Sequence, residues 1–212
     1  MDRGKLLLTV SIALYFIALI FTWVATSGIS SGWYTKTLNG QSLDFGSLKY
    51  TLTFKNEDGN LTSLNCMYEG NNPTNATARW MAREVNATVC TDYPELTSAG
   101  EFVIVAVIFT WLILMPTIGI LVTFAFFKPS LGLAKVAWGL GALAFFCSIW
   151  PWLVFGIKFG GTDSSPSWAW ALDFVAFLLI AGGLALSIAG VRCGSDSYEV
   201  MGGGETGHEL IE

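Results

Sequence analysis

The chain alternates between long apolar stretches and polar segments. Four stretches, at 6–26, 101–127, 133–157 and 168–191, hold about 20 or more mostly apolar residues, enough to cross a hydrocarbon layer of roughly 30 Å as helices. Each must be helical, because backbone polar groups find no water partner in hydrocarbon. The pattern predicts a membrane-spanning four-helix bundle, in which 1–5, 128–132 and 192–212 share one side and 27–100 and 158–167 the other.

The first stretch has a second interpretation. Residues 1–5 resemble the basic start of a signal peptide, and Ala25-Thr26-Ser27 resembles a small-x-small cleavage site. The apolar stretch is nevertheless longer than the usual signal-peptide core of about 7–15 residues. We therefore expect a retained first span, and a cleaved segment is the alternative.

Glycosylation motifs and charges indicate the orientation. Three Asn-x-Thr sequons, at Asn60, Asn75 and Asn86, all lie in the segment 27–100. Glycans are added on the lumenal side of the secretory pathway, so this segment is expected to face out. The basic residues next to the opposite ends of the four stretches are Arg3, Lys5, Lys128, Lys135 and Arg192. Their excess predicts cytoplasmic N- and C-termini in a multi-pass plasma-membrane protein.

The first external segment is long enough to form a small β-rich domain. Residues 48–54 alternate between apolar and polar side chains, which is typical of a strand with one apolar face. A turn sequence at 56–60 leads to a second strand over 61–68, and 33–38 is a further candidate strand. Residues 76–85 have helical character.

The four cysteines divide by predicted side. Cys66 and Cys90 are the two in the external segment, and an oxidising compartment favours a disulfide between them. Cys147 lies inside the third stretch, where it is expected to act as a small apolar residue. Cys193 follows the fourth stretch and is a candidate palmitoylation site.

Composition narrows the class of protein. The 212 residues are 53% hydrophobic and 13% charged, which is typical of an integral membrane protein rather than a soluble domain. No Lys/Arg-rich run supports nucleic-acid binding. The single histidine, His208, lies in the C-terminal segment, and no cluster of catalytic or metal-ligating residues accompanies it. We expect no enzyme activity, no metal, no cofactor and no small-molecule substrate.

Apart from Glu101, which begins the second stretch, one acid lies inside a predicted span. Asp173 is one to two turns from the outer end of the fourth stretch. An ionisable residue at membrane depth is a candidate functional residue. A hydrogen bond to a neighbouring helix or to interfacial water is the structural interpretation, and transport is the functional one.

The segment 192–212 is short, rich in glycine and acidic, and the sequence predicts that it is disordered. Tyr198 and Met201 fit the Tyr-x-x-apolar sorting pattern, which also occurs by chance.

The arrangement resembles the claudin, peripheral-myelin-protein and TARP-like superfamily of four-span proteins. The resemblance lies in the four spans, the cytoplasmic termini, the large first external segment with a hairpin and two cysteines, and the small second one at 158–167. Gly32-Trp33 is similar to the start of the family's Trp…Gly-Leu-Trp…Cys…Cys motif. The Gly-Leu-Trp itself is absent, and Cys66 and Cys90 are further apart than the family's pair.

The resemblance implies a non-enzymatic auxiliary subunit or interaction partner of a channel, receptor or adhesion protein. The candidate contact residues in the first external segment are Trp33, Tyr50, Phe54, Trp80 and Tyr93, although some of them are expected to form the segment's own core instead. A self-associating junction scaffold, as in claudins, is the first alternative. A small transporter or pore that uses Asp173 is the second.

Overall fold

A computed structural model describes residues 3–27, 33–38, 41–45, 49–55, 61–67, 94–127, 130–159 and 164–202. The predicted helix at 76–85 and the turn at 56–60 lie outside these residues.

The described chain contains four long helices. They are α1 (Arg3–Ser27), α2 (Pro94–Phe126), α3 (Leu131–Phe159) and α4 (Trp168–Gly202). Each includes a stretch long and apolar enough to cross a membrane, namely Arg3–Thr26, Ala99–Phe126, Leu131–Lys158 and Trp168–Cys193. The prediction of four spanning helices in a multi-pass membrane protein agrees with this architecture.

The exposed surfaces of the helices are apolar. On α2, Ile108, Leu112 and Met115 are 50%, 65% and 61% exposed. A soluble helix would place charged or polar side chains at such positions, whereas a hydrocarbon environment solvates apolar ones. The buried faces instead carry small and polar residues, including Ser11, Thr117 and Ser187. The helices are therefore built for lipid on the outside and close packing on the inside.

Five antiparallel strands form one sheet. They are β1 (Tyr34–Leu38), β2 (Gln41–Phe45), β3 (Lys49–Lys55), β4 (Leu61–Met67) and β5 (Ser164–Pro166), in the order β4-β3-β2-β1-β5. The predicted strand at 33–38 and the predicted hairpin at 48–54 and 61–68 are confirmed as β1, β3 and β4. The sequence analysis missed β2, and it treated 158–167 as a connecting segment although β5 lies in it.

Several helix ends differ from the predicted spans, most of all in the last three helices. The second helix begins at Pro94 rather than at 101, because Pro is well suited to the first turn of a helix. The third extends at both ends, from Leu131 to Phe159 rather than 133–157. The fourth continues to Gly202, so 192–202 is helical where the sequence predicted disorder. Adding residues to an existing helix is far easier than starting one, and 192–202 contains no proline.

The chain divides into two compact units. The helical unit comprises Met1–Leu19, Thr110–Phe146 and Phe177–Glu212. The sheet unit comprises Ile20–Phe109 and Cys147–Ala176, which contain the whole sheet.

Packing in the helical unit centres on Tyr15. This side chain is fully buried, and glycines on two other helices face it. A Cβ added at Gly183 of α4 would lie 3.0 Å from Cε1 of the Tyr15 ring, and one at Gly141 of α3 would lie 2.7 Å from the Tyr15 hydroxyl. Both glycines thus leave room for the aromatic ring.

A hydrogen bond fixes α1 against α4 in the same layer. The Ser11 hydroxyl donates to the carbonyl of Gly183 over 2.7 Å, and both residues are in the helical unit. The Tyr15 hydroxyl lies beside Ser187, whose own hydroxyl donates to the carbonyl of Leu184. The Tyr15 hydroxyl itself makes no hydrogen bond of ordinary geometry to any described residue. Tyr15 therefore contributes through its ring rather than through its hydroxyl.

We call Tyr15, Gly141 and Gly183 the Tyr15 layer. Their contacts predict a different response of Gly141→Ala and Gly183→Ala to a second substitution at Tyr15. Gly141→Ala and Gly183→Ala are each expected to lower the free energy of unfolding by about 1–3 kcal/mol, the usual cost of overpacking. Adding Tyr15→Phe should rescue Gly141→Ala, since the hydroxyl is the atom its Cβ meets most closely. The same addition should not rescue Gly183→Ala, whose Cβ meets ring carbons. Unfolding of the purified variants in detergent measures these differences.

Gly139→Ala is the matched control. Gly139 lies on α3, as Gly141 does, but nothing lies within 4 Å of a Cβ added at Gly139. It should leave stability unchanged or raise it by up to about 1 kcal/mol, since Ala is the better helix former. Equal losses for Gly139→Ala and Gly183→Ala would contradict the packing described here.

Candidate functional site

The sheet unit joins its strands to its helical segments through β1. Strand β1 pairs with β5, with Thr35 opposite Ser165 and Tyr34 opposite Pro166. The ladder is extended by the backbone N–H of Ser167, which donates to the carbonyl of Trp33 over 2.9 Å. Helix α4 begins at the next residue, Trp168. The first strand of the sheet is thus tied directly to the start of a long helix.

Trp33 is the side chain that fixes this junction. It is 1% exposed, and its ring stacks on that of Phe155 in α3 with centroids 5.0 Å apart. Its indole nitrogen has no hydrogen-bond partner among the described residues. Burial of a ring of this size supplies a large apolar contribution to stability. Trp33 therefore helps to hold the sheet, and its assignment as a contact residue for a partner stays a prediction.

Tyr34 packs next to the same helix. It is 5% exposed, and a Cβ added at Gly156 of α3 would lie 3.8 Å from its hydroxyl oxygen. Burial raises the pKa of the Tyr34 phenol above its ordinary value. The ring is accordingly neutral at pH 7. Trp33 and Tyr34, which are adjacent in sequence, both contribute to the attachment of β1.

An aromatic cluster links α3 to α4 within the sheet unit. The indole N–H of Trp170 donates to the carbonyl of Trp152 over 3.1 Å. Phe174 stacks on Trp170 with centroids 5.5 Å apart and meets Trp152 edge to face at 5.4 Å. The four tryptophans of this region, Trp150, Trp152, Trp168 and Trp170, thus have two roles. Trp150 and Trp168 are exposed, whereas Trp152 and Trp170 connect two helices.

One face of the sheet is apolar. Leu43 is 7% exposed and lies opposite Lys36 of β1 and Leu52 of β3. Because strand residues alternate between faces, the positions of Tyr34, Tyr50 and Phe54 fall on the same face as Leu43. The two described apolar residues of this face, Tyr34 and Leu43, are both buried.

The other face is polar. It carries Thr35, Ser42, Asp44 and the positions of Thr51 and Thr53. Thr35 donates its hydroxyl proton to Asp44 over 2.7 Å across β1 and β2. The described side chains Thr35, Ser42, Asp44 and Thr53 all remain partly exposed. The described side chains of the polar face are thus accessible, and on the opposite face Lys36 is also partly exposed.

Asp173 lies on the buried side of α4. It is 2% exposed, and its neighbours along that side, Ala169 and Ala176, are 2% and 0% exposed. Its Oδ2 atom has no hydrogen-bond partner among the described residues. This oxygen therefore makes no hydrogen bond to a neighbouring helix within the part of the chain that the structure describes.

Several of the other predicted site residues lie wholly, or with their side chains, outside the part of the chain that the structure describes. Cys193 is a free, exposed cysteine, as palmitoylation requires, and Cys147 is free and half-buried. The backbones of Tyr50, Phe54 and Cys66 lie in strands, and those of Tyr198 and Met201 lie in α4, but their side chains are outside the described set. The remaining positions, Asn60, Asn75, Trp80, Asn86, Cys90 and Tyr93, are entirely outside it. The sequons and the predicted disulfide thus stay predictions.

The described residues offer no site for a metal ion. Among them, no group of three or more His, Cys, Asp or Glu side chains comes together.

No family model matches this chain, and no curated protein is significantly similar to it.

The burial of Trp33 predicts a large loss of stability on truncation. Trp33→Ala should lower the free energy of unfolding by about 3–5 kcal/mol, as is usual when a buried aromatic ring is removed. Trp23→Ala is the matched control, because Trp23 is 55% exposed and exposed positions usually change stability by less than about 0.5 kcal/mol. Thermal unfolding in detergent compares the two variants. Similar losses in both would contradict an anchoring role for Trp33.

Two aspartates of the sheet unit predict opposite responses to neutralisation. Asp44→Asn weakens the hydrogen bond from Thr35 and should lower stability by about 0.5–1.5 kcal/mol. Asp173→Asn removes a buried acid that has no partner among the described residues, so stability should be unchanged or higher. The measurement is unfolding of both variants at pH 7. A loss of more than about 2 kcal/mol for Asp173→Asn would show a strong partner and contradict this assignment.

Proposed function

We propose that this protein is a non-enzymatic, multi-pass plasma-membrane protein that binds another membrane protein through its sheet. The N- and C-termini are cytoplasmic and the sheet is external in this proposal, as the sequons and the basic residues at the opposite helix ends imply. Glycans at Asn60, Asn75 and Asn86 and a disulfide between Cys66 and Cys90 complete the external segment.

The attachment of the sheet through Trp33 is the observation that carries the proposal. A sheet that is connected only by flexible segments would lose conformational entropy when it binds. Here the stacking on Phe155 and the pairing of β1 with β5 hold the first strand in place before a partner arrives. Preorganisation of this kind favours a binding surface.

The polar face of the sheet is the proposed contact surface. The described apolar side chains of the opposite face are already buried, whereas Thr35, Ser42, Asp44 and Thr53 stay partly exposed. Hydroxyl and carboxylate groups at the rim of an interface provide hydrogen bonds rather than bulk apolar area. The expected partner is therefore a membrane protein whose external part presents hydrogen-bonding groups.

The proposal includes the resemblance to the claudin, peripheral-myelin-protein and TARP-like superfamily. It is supported by four apolar helices, by four strands between the first two helices and by a short segment, which contains β5, between the last two. Membership of that superfamily and the role of an auxiliary subunit for a channel, receptor or adhesion protein are parts of the proposal, because fold likeness alone does not assign function.

Self-association is the second candidate. It is consistent with the same exposed face of the sheet, since a surface that is complementary to itself produces a dimer or a polymer. Purified wild-type protein that forms a ladder of copies with no other component would favour this candidate over the first.

A glycan placed on the polar face tests the proposed contact surface. Thr51→Asn creates an Asn-x-Thr sequon on this face, completed by Leu52 and Thr53, and Thr51→Gln changes the same position without a sequon. Tagged full-length protein is purified from native membranes in mild detergent, and bound proteins are identified by mass spectrometry. The wild type and Thr51→Gln should retain a stoichiometric membrane partner, and glycosylated Thr51→Asn should lose it because the glycan covers the face.

The electrophoretic shift of Thr51→Asn shows whether the new sequon is used. A partner that remains bound to the glycosylated variant would contradict the contact surface. The Thr51→Asn chain could also fold like the wild type but acquire no glycan at position 51. This outcome would contradict the external placement of the sheet.

A further inference from the structure

One end of the helical unit carries four exposed cations on three helices. Arg3 and Lys5 are at the start of α1, Lys135 is near the start of α3, and Arg192 is in α4. Among the described side chains of this unit there is no Asp or Glu. We call these four residues the basic end.

Contacts within the helical unit place the four cations together. A Cβ added at Gly190 would lie 3.1 Å from the carbonyl oxygen of Gly4 and 3.0 Å from Cγ of Leu8, so α1 and α4 nearly touch there. Gly4 is next to Arg3, and Gly190 is two residues from Arg192. The close approach of two backbones therefore brings two arginines to the same place.

The Tyr15 layer fixes the direction of the third helix. Gly141 approaches both Tyr15 and Leu184, and Phe145 stacks on Phe177 with centroids 5.0 Å apart. Helix α3 therefore runs antiparallel to α4 and parallel to α1. At 1.5 Å per residue, Arg3, Lys5, Lys135 and Arg192 lie about 9–18 Å from the Tyr15 layer, all in the same direction.

This arrangement suits the phosphate groups of lipids. The cations border the apolar helix surfaces, so their charges lie where apolar side chains give way to water, at the depth of lipid headgroups. Guanidinium groups bind phosphate oxygens in pairs, and lysines attract them as point charges. Each basic residue near an anionic membrane surface contributes roughly fivefold to the binding constant.

We propose that the basic end binds the headgroup phosphates of anionic phospholipids. The expected ligand is a phosphodiester lipid with a net negative charge, in preference to a zwitterionic lipid with the same acyl chains. This inference does not depend on the partner proposed for the sheet.

Lipid titration of the delipidated, full-length protein tests the proposal. Native mass spectrometry in detergent compares phosphatidylglycerol with phosphatidylcholine of identical chains. The wild type should bind phosphatidylglycerol roughly tenfold or more tightly, and added salt should reduce the difference. Equal binding of the two lipids would overturn the proposal.

Charge variants identify the residues responsible. Lys135→Gln and Arg192→Gln should each weaken phosphatidylglycerol binding roughly fivefold without changing phosphatidylcholine binding. Lys158→Gln is the matched control, since Lys158 is an exposed lysine near the other end of the helix that carries Lys135. A loss for Lys158→Gln as large as that for Lys135→Gln would overturn the assignment to the basic end.

Two further outcomes separate lipid binding from other roles of the cations. The Lys135→Gln variant could be folded and glycosylated like the wild type and keep the same lipid preference. That result would show that Lys135 only sets orientation, and it would overturn the role of Lys135 in lipid binding. A second variant lacks residues 203–212. If only this variant distinguishes the two lipids, acidic residues of the removed segment occupy the basic end in the full-length chain. That result would also overturn the proposal.

Discussion

The stacking of Trp33 on Phe155 is the constraint on which the rest of the sheet unit depends. A sheet of five short strands is marginal by itself unless something covers one face or fixes one edge. Here the indole is buried against α3, and the neighbouring backbone continues the ladder from β1 through β5 to the start of α4. A single residue thus determines both the position of the first strand and the pairing that holds it. The open polar face used in the functional proposal follows from that position.

Close packing has a comparable role in the helical unit. Lipid tails are as apolar as the side chains they contact, so helix association depends on shape and on hydrogen bonds. Tyr15 fits between Gly141 and Gly183, and the Ser11 hydroxyl bonds to the backbone exposed at Gly183. The glycine at 190 allows α1 and α4 to meet at the basic end. Gly141, Gly183 and Gly190 are therefore explained by contacts inside one chain.

The sequence predicted those elements that have a strong local signal. Long apolar stretches identified the four helices, and the alternation at 48–54 identified the hairpin. Strand β5 could not be predicted because Ser164–Pro166 has no alternation and is a strand only through its pairing with β1. The buried position of Trp33 could not be predicted because a tryptophan in a polar segment has the same appearance whether it binds a partner or fills a core. Its partner Phe155 is 122 positions away in the sequence, and no local pattern connects the two.

Hydrogen–deuterium exchange tests the anchoring role of Trp33 most directly. The full-length protein in lipid nanodiscs is compared with Trp33→Phe and Trp33→Ala, and exchange is followed at the amides of β1 and at Ser167. The account predicts protection in the wild type, a modest decrease in Trp33→Phe and a large loss in Trp33→Ala, while the amides of Thr110–Phe126 keep their protection. Unchanged protection of β1 and Ser167 in Trp33→Ala would contradict it, because the strand would then be held by something other than the buried indole.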